Sequence, residues 1–244
     1  LQPVLTAISL IIALELADFG VLPDYVAGHS LGEVAAWAIA GSISFEDAIR
    51  LAGLRGRLMA RAAQQNPGGL LALIEKTDVD SALRIGRAAG WVELGAENAP
   101  DEIVLTGEDA ALRAIAAVYP ARRLSVDGAW HSSAIVSAVA PFRIAVQTVA
   151  LRPARAKLVL NRDGSVVTEQ ELVGDCLAEQ LVRPVYWTKV LETLRREDVH
   201  DYVTLGPGAV LRSLVRKNMG TDARVWSTES ESSLRTTLEA LSGS

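Results

Sequence analysis

The segment Tyr25-Val26-Ala27-Gly28-His29-Ser30-Leu31-Gly32-Glu33 decides how the rest of the chain is read. Three apolar residues form a short strand, and Leu31 to Ala40 is an Ala-rich helix that Gly41 stops. Between them stands Gly-x-Ser-x-Gly, the pattern of a nucleophile elbow when it joins a strand to a helix. In so tight a turn a β-carbon at either glycine should meet the neighbouring chain. The turn lifts Ser30 off the strand end and exposes its hydroxyl. It also sets the serine at a helix N-terminus, where N–H groups without helical partners favour developing negative charge. The backbone N–H of Leu31 is the first oxyanion donor such a turn offers.

Outward from this segment, helical and strand patterns alternate from end to end, the mark of an α/β chain with largely parallel strands. Val4 to Ala17 reads as a buried helix. Ser44 with Asp47 three residues on reads as a capping box opening a helix that ends near Asn66-Pro67-Gly68-Gly69. The rhythm then changes. Leu70–Ile74 is a strand, Asp78–Ala88 a helix, Trp91–Ala96 and Ile103–Thr106 strands, Glu108–Val118 a helix and Ala121–Val126 a strand. That order is the ferredoxin-like pattern. Residues 68–128 are therefore expected to be an inserted subdomain, with 1–67 and 129–244 forming the larger one. Beyond it, Ser133–Val149 is helical with a kink or split at Pro141, and Lys157–Leu160 is a strand ending in the turn Asn161-Arg162-Asp163-Gly164. Thr168 and Glu171 suggest a capping box for a helix to about Val182. Trp187–Arg196 is a helix, Tyr202–Leu205 a strand and Val210–Met219 a helix.

Composition narrows the function classes. The 244 residues carry 24 Lys+Arg against 29 Asp+Glu, a formal net charge of -5, so no summed positive field draws nucleic acid or an anionic membrane. The longest apolar stretch, Leu5–Leu14, is interrupted by Thr6 and Ser9 and falls short of the ~18 residues a membrane span needs. No basic segment followed by an apolar run opens the chain, which argues against a secretory signal. Cys176 is the only cysteine, which excludes an internal disulfide and a thiolate zinc site. A cytoplasmic globular protein is expected. Leu1 is not an initiator residue, and further sequence is expected upstream.

A serine nucleophile needs a base within hydrogen-bond reach. His29 adjoins Ser30, and the turn should aim its ring elsewhere. His200 lies in the charged run Arg195-Arg196-Glu197-Asp198-Val199-His200-Asp201, a solvated face. His131, in Gly128-Ala129-Trp130-His131-Ser132, stands between a strand and a helix at the kind of chain end that lines clefts in α/β folds. It is either the base or a cap for the following helix. Ser30, Asp163 and His200 also occur in the chain order of an α/β-hydrolase triad. On the helix after Ser44, Leu51, Leu54 and Leu58 make an apolar stripe flanked by Arg55 on one edge and Arg61 on the other, and periodicity alone does not choose between them.

Gly28-His29-Ser30-Leu31-Gly32-Glu33 resembles the nucleophile motif of the malonyl-CoA:acyl-carrier-protein transacylases and of the acyltransferase domains of fatty-acid and polyketide synthases. Leu54-Arg55-Gly56-Arg57-Leu58-Met59 resembles the family's arginine helix, Gly128–Ser132 its histidine motif, Gln180–Lys189 its Gln-x-x-x-Pro-x-x-Trp-Thr segment, and Gly206-Pro207-Gly208 its late turn. The resemblance implies an α/β-hydrolase-like large subdomain with an inserted ferredoxin-like small one. It implies a malonyltransferase in which Ser30 is acylated, His131 is the base, Leu31 donates to the oxyanion, and Gln180 orients the histidine through its backbone carbonyl. Arg55 would hold the malonyl carboxylate, a role that suits a planar guanidinium. Trp130 and His29 would contact substrate, the aromatic ring before the histidine disfavouring a 2-methyl branch. Malonyl-CoA and an acyl carrier protein are the implied partners, and no metal or bound cofactor is called for. The family's first strand, with a Gly-Gln-Gly segment that adds an oxyanion donor, has no match here. An acyl hydrolase with the same Ser/His site, or an idle carrier-protein docking domain, are the alternatives.

Overall fold

The computed structural model describes residues 1–167, 173–221 and 223–242. In chain order the first elements are α1 (Gln2–Asp18), β1 (Tyr25–Ala27), α2 (Gly32–Ile39), α3 (Phe45–Gln65), β2 (Gly69–Leu73), α4 (Val79–Arg87) and β3 (Val92–Ala99). There follow β4 (Glu102–Gly107), α5 (Asp109–Ala116), β5 (Ala121–Arg123), α6 (Val139–Gln147), β6 (Lys157–Val159), β7 (Val166–Val167) and α7 (Val173–Glu179). The last are β8 (Val185–Tyr186), α8 (Trp187–Arg196), β9 (Asp201–Thr204), α9 (Val210–Met219), β10 (Arg224–Ser227) and α10 (Glu231–Leu241). The mixed α/β class agrees with the expectation, but the strands are not largely parallel: among the described residues three pairings are parallel and four antiparallel. The chain divides into two compact units, Leu1–Gly53 with Val149–Val173 and Lys189–Ser244, and Leu54–Thr148 with Gly174–Thr188.

In the first unit β1 pairs in parallel with β6, from Tyr25↔Lys157 to Ala27↔Val159. β7 pairs antiparallel on the other side of β6, and β9 pairs in parallel with β10 as a separate ribbon. α2 is buried along most of its length, and beyond Glu33 in its first turn Val34, Ala35, Ala36, Trp37 and Ala38 are all covered. α1 packs on α2 but is not the buried helix that its sequence suggests. Leu10 and Leu16 are covered, whereas Val4, Ile11 and Leu14 are exposed, because apolar residues circle the whole helix and α2 covers one side. Ser44 caps α3 by accepting the Asp47 N–H at 3.0 Å, but the Asp47 carboxylate accepts the Ser44 hydroxyl rather than its N–H, so only half of the expected box forms.

The second unit is built on a five-stranded sheet ordered β5-β2-β4-β3-β8. The first four strands pair antiparallel in the ferredoxin-like order, and β8 extends the sheet by pairing in parallel with β3. Leu71, Leu73 and Leu105 from the strands meet Leu83, Leu112 and Ile115 from α4 and α5 in one apolar core. Asp78 caps α4 by accepting the N–H groups of Asp80 and Ser81. The helix expected from Ser133 starts as a 3-10 segment, Ser133–Ala138, and becomes α6 at Val139. The break therefore precedes Pro141, which sits in the first turn of α6 where no N–H is required. The capping box of Thr168 and Glu171 lies outside the described residues. Among the described residues no helix is long and apolar enough to cross a membrane.

Candidate active site

In the first unit, the chain leaves β1 and turns through Ser30, whose φ is 53°, into α2. A left-handed conformation is costly for a residue with a β-carbon and is a common signature of functional turns. Gly28 makes the turn possible, because a β-carbon there would meet the Gly32 carbonyl carbon at 2.0 Å and the Glu33 nitrogen at 2.5 Å. Gly32 differs from the expectation: a β-carbon on it would meet nothing within 4 Å, since only the first glycine lies beneath the crossing chain. The turn closes with Gly32 N–H donating to His29 O at 2.9 Å and Glu33 N–H to Ser30 O at 3.1 Å. Among the described residues no hydrogen bond engages the Leu31 N–H, which leaves it open at the helix start. His29 and Ser30 are both half-buried.

Asn161 reads from sequence only as a turn residue. Parallel pairing of Ala27 with Val159 brings it level with the elbow. Its side-chain oxygen accepts the Ser30 N–H at 2.9 Å, its amide donates to Gly28 O at 2.6 Å, and its own N–H donates to Glu33 Oε1 at 3.0 Å. Asn161 and Glu33 are 1% and 2% exposed. The turn chemistry itself falls to Asp163, which accepts from the Ser165 N–H and hydroxyl.

In the second unit, His131 has φ 60° and is buried. Its Nδ1 lies 3.0 Å from the Gln180 carbonyl and 3.2 Å from the Arg183 carbonyl. Carbonyls only accept, so Nδ1 carries a proton, and in the neutral ring this leaves the lone pair on Nε2, the tautomer a general base requires. The Gln180 side chain acts as well, its Oε1 accepting from an Arg55 terminal nitrogen at 2.9 Å. One buried glutamine thus binds the imidazole through its main chain and the guanidinium through its side chain. Arg55 is 1% exposed and lies inside the buried face of its helix with Ala48, Leu51, Ala52, Met59 and Ala62, not on the edge of an apolar stripe. Leu54 and Leu58 are only half-buried, and Arg57 and Arg61 are exposed. The loop carrying His131 is fastened by Ser132 Oγ donating to Ala129 O and by the Glu93 carboxylate accepting from the Ser133 N–H at 3.1 Å. The half-buried Trp130 ring lies over Gly128.

The family described as acyl transferase domain matches residues 1–231. The chain belongs to this family. The malonyl CoA-acyl carrier protein transacylase of Mycobacterium bovis is 36% identical over 91% of this acyl transferase domain and 76% of its own length. Its namesake in Synechocystis is 33% identical over 88% and 73%. Among solved structures, the malonyl CoA-acyl carrier protein transacylase of Clostridium perfringens has TM-score 0.92 at 27% identity, covering 98% of this chain and 78% of its own. A malonyl-transacylase in complex with its type II PKS acyl-carrier protein has TM-score 0.90 at 29% identity, with coverage of 98% and 80%.

Within this acyl transferase domain the rival triad does not gather. Asp163 is occupied in its own turn, and exposed His200 pairs with Asp198 at 3.1 Å. Sequence reasoning misses Asn161 and Glu93. The only signals are an asparagine two residues beyond a strand and a carboxylate on a strand face, both ordinary features of surfaces.

Proposed function

We propose that this chain is a malonyl-CoA:acyl-carrier-protein transacylase with a ping-pong mechanism. His131 Nε2 takes the Ser30 hydroxyl proton as Ser30 Oγ attacks the thioester carbonyl of malonyl-CoA. The Leu31 N–H donates to the oxyanion. Collapse breaks the C–S bond, and the coenzyme A sulfur leaves with the proton held by His131. The phosphopantetheine thiol of the carrier protein gives its proton to the same imidazole and attacks the acyl-serine; the acyl–oxygen bond breaks and Ser30 Oγ leaves with that proton. Gln180 holds the imidazole tautomer, and Arg55 receives the malonyl carboxylate. Trp130 and His29 border the acyl group. We further read residues 68–128 as the ferredoxin-like small subdomain and 1–67 with 129–244 as the catalytic one, and place the protein in the cytoplasm. The reaction asks for no metal or bound cofactor.

The observation that carries this reading is the buried Arg55, whose guanidinium already rests on a planar oxygen acceptor. A carboxylate is a stronger acceptor for the same donors than an amide oxygen. The names of the relatives and the carrier-protein complex among the structural neighbours point the same way. Intact-mass spectrometry after incubation with malonyl-CoA tests it. The expected result is one malonyl adduct that disappears in Ser30→Ala and moves to a holo acyl carrier protein. Arg55→Ala should lower kcat/KM for malonyl-CoA by about a hundredfold or more and spare acetyl-CoA. An adduct lost to water but never passed to the carrier protein would make the chain an acyl hydrolase. No adduct at all would sink the enzymatic reading.

A further inference from the structure

We propose that Asn161 is a positioning residue for the Ser30 nucleophile, the clamp that holds the elbow in its left-handed conformation. The proposal deepens the acyl-serine reading above and rests on it. The Ser30 N–H donates to Asn161 Oδ1, the Asn161 N–H to Glu33 Oε1, and the Glu33 N–H to Ser30 O, so three hydrogen bonds close a circuit through the elbow. The Asn161 amide adds a fourth bond to Gly28 O, two residues before Ser30. One planar side chain therefore accepts from one end of the turn and donates to the other, which an uncharged amide can do and an ionised carboxylate cannot.

Burial gives the arrangement its force. Asn161 and Glu33 are nearly fully enclosed, so their polar atoms would be left with neither a partner nor water if the circuit were broken. The circuit also assigns the N–H groups of the turn. That of Ser30 is committed to Asn161 and that of Leu31 stays open, so the clamp sets which donor faces the oxyanion. Catalysis is sensitive to such placement: a shift of about 1 Å in a reacting group can cost 10²-fold. The clamp touches neither the coenzyme A thioester nor the acyl group, so its loss should slow the covalent step without weakening substrate binding.

Two variants separate the contributions. Asn161→Asp keeps the shape and the acceptor for Ser30 N–H but loses the donor to Gly28 O. Asn161→Ala loses both and retains the backbone bond to Glu33. Single-turnover acylation by malonyl-CoA, normalised to folded protein by circular dichroism, should fall about tenfold in the first and about a hundredfold in the second. KM for malonyl-CoA should stay within about twofold. A fluorophosphonate probe, which modifies the serine without needing a malonyl group, should show the same graded loss. Wild-type rates in both variants would overturn the assignment, as would a loss confined to KM. Should Asn161→Ala fail to fold, Asn161→Asp decides alone by the same criteria. If wild type reacts with the probe but not with malonyl-CoA, the substrate reading fails, and the probe rates of the variants still judge the clamp.

Discussion

Gly128 works by what it lacks. A β-carbon there would meet three atoms of the Trp130 six-membered ring at 2.4 to 2.6 Å, so the indole lies directly on bare backbone. Gly128→Ala must push the ring away, and it also puts a β-carbon at φ 153°, a conformation L side chains rarely adopt. Overpacking of this kind costs about 1–3 kcal/mol, and the displaced ring alters whatever space it bordered. If Trp130 limits the room for a 2-methyl branch, Gly128→Ala should narrow the preference for malonyl-CoA over methylmalonyl-CoA by about tenfold, read as the ratio of kcat/KM values. An unchanged ratio would separate Trp130 from substrate choice. The same scale shows where sequence reasoning is strong and where it fails. Ser30 and the need for Gly28 are legible because a strand, a turn and a helix stand side by side in the sequence. The burial of Arg55 is easily misread because its helix packs through Leu51, Met59 and several alanines, while the leucine spacing points toward the half-buried Leu54 and Leu58. Asn161 is opaque because strand register, which no local pattern encodes, carries it to the elbow 131 positions earlier in the chain.

Among elements, the segment following His131 depends on a borrowed cap. The 3-10 turn Ser133–Ala138 receives no side-chain cap from Ser132; Glu93 on β3 reaches across and accepts from the Ser133 N–H and hydroxyl, while Trp91 Nε1 donates to the same carboxylate at 3.1 Å. Glu93→Ala should lower the unfolding free energy in urea by about 1–2 kcal/mol. Glu93→Gln, which keeps one acceptor oxygen, should recover about half of that loss. Equal stability of all three proteins would show the cap to be idle. Long elements are readable from the sequence because they repeat their periodicity several times. The helix-strand order of the ferredoxin-like segment emerges for that reason, and α9 has the bounds its sequence predicts. Two-residue strands such as β7 and β8 have no period to detect and form only because a partner strand presents its edge.

For the molecule as a whole, stability at high pH should depend on Tyr202. It is buried on β9, donates to Val199 O at 3.0 Å, and burial raises its pKa from 10.0 to about 12. Below pH 10 the phenol is neutral in both folded and unfolded chains. Between about 10 and 12 the unfolded chain gives up this proton while the folded chain keeps it, so stability declines as pH rises through that window. Wild type should lose on the order of 2 kcal/mol more than Tyr202→Phe across it, as measured by urea midpoints. Parallel curves for the two proteins would contradict this. Connectivity has its own consequence. The chain passes between its two units after residues 53, 148, 173 and 188. If it were divided after Thr148, β1 would belong to one piece and β6 to the other, and β3 would likewise be parted from β8. Each half would then hold unpaired strand edges that only the other half can satisfy. The gene could be split there into two mutually dependent fragments, inert when made apart and reassembling when made together.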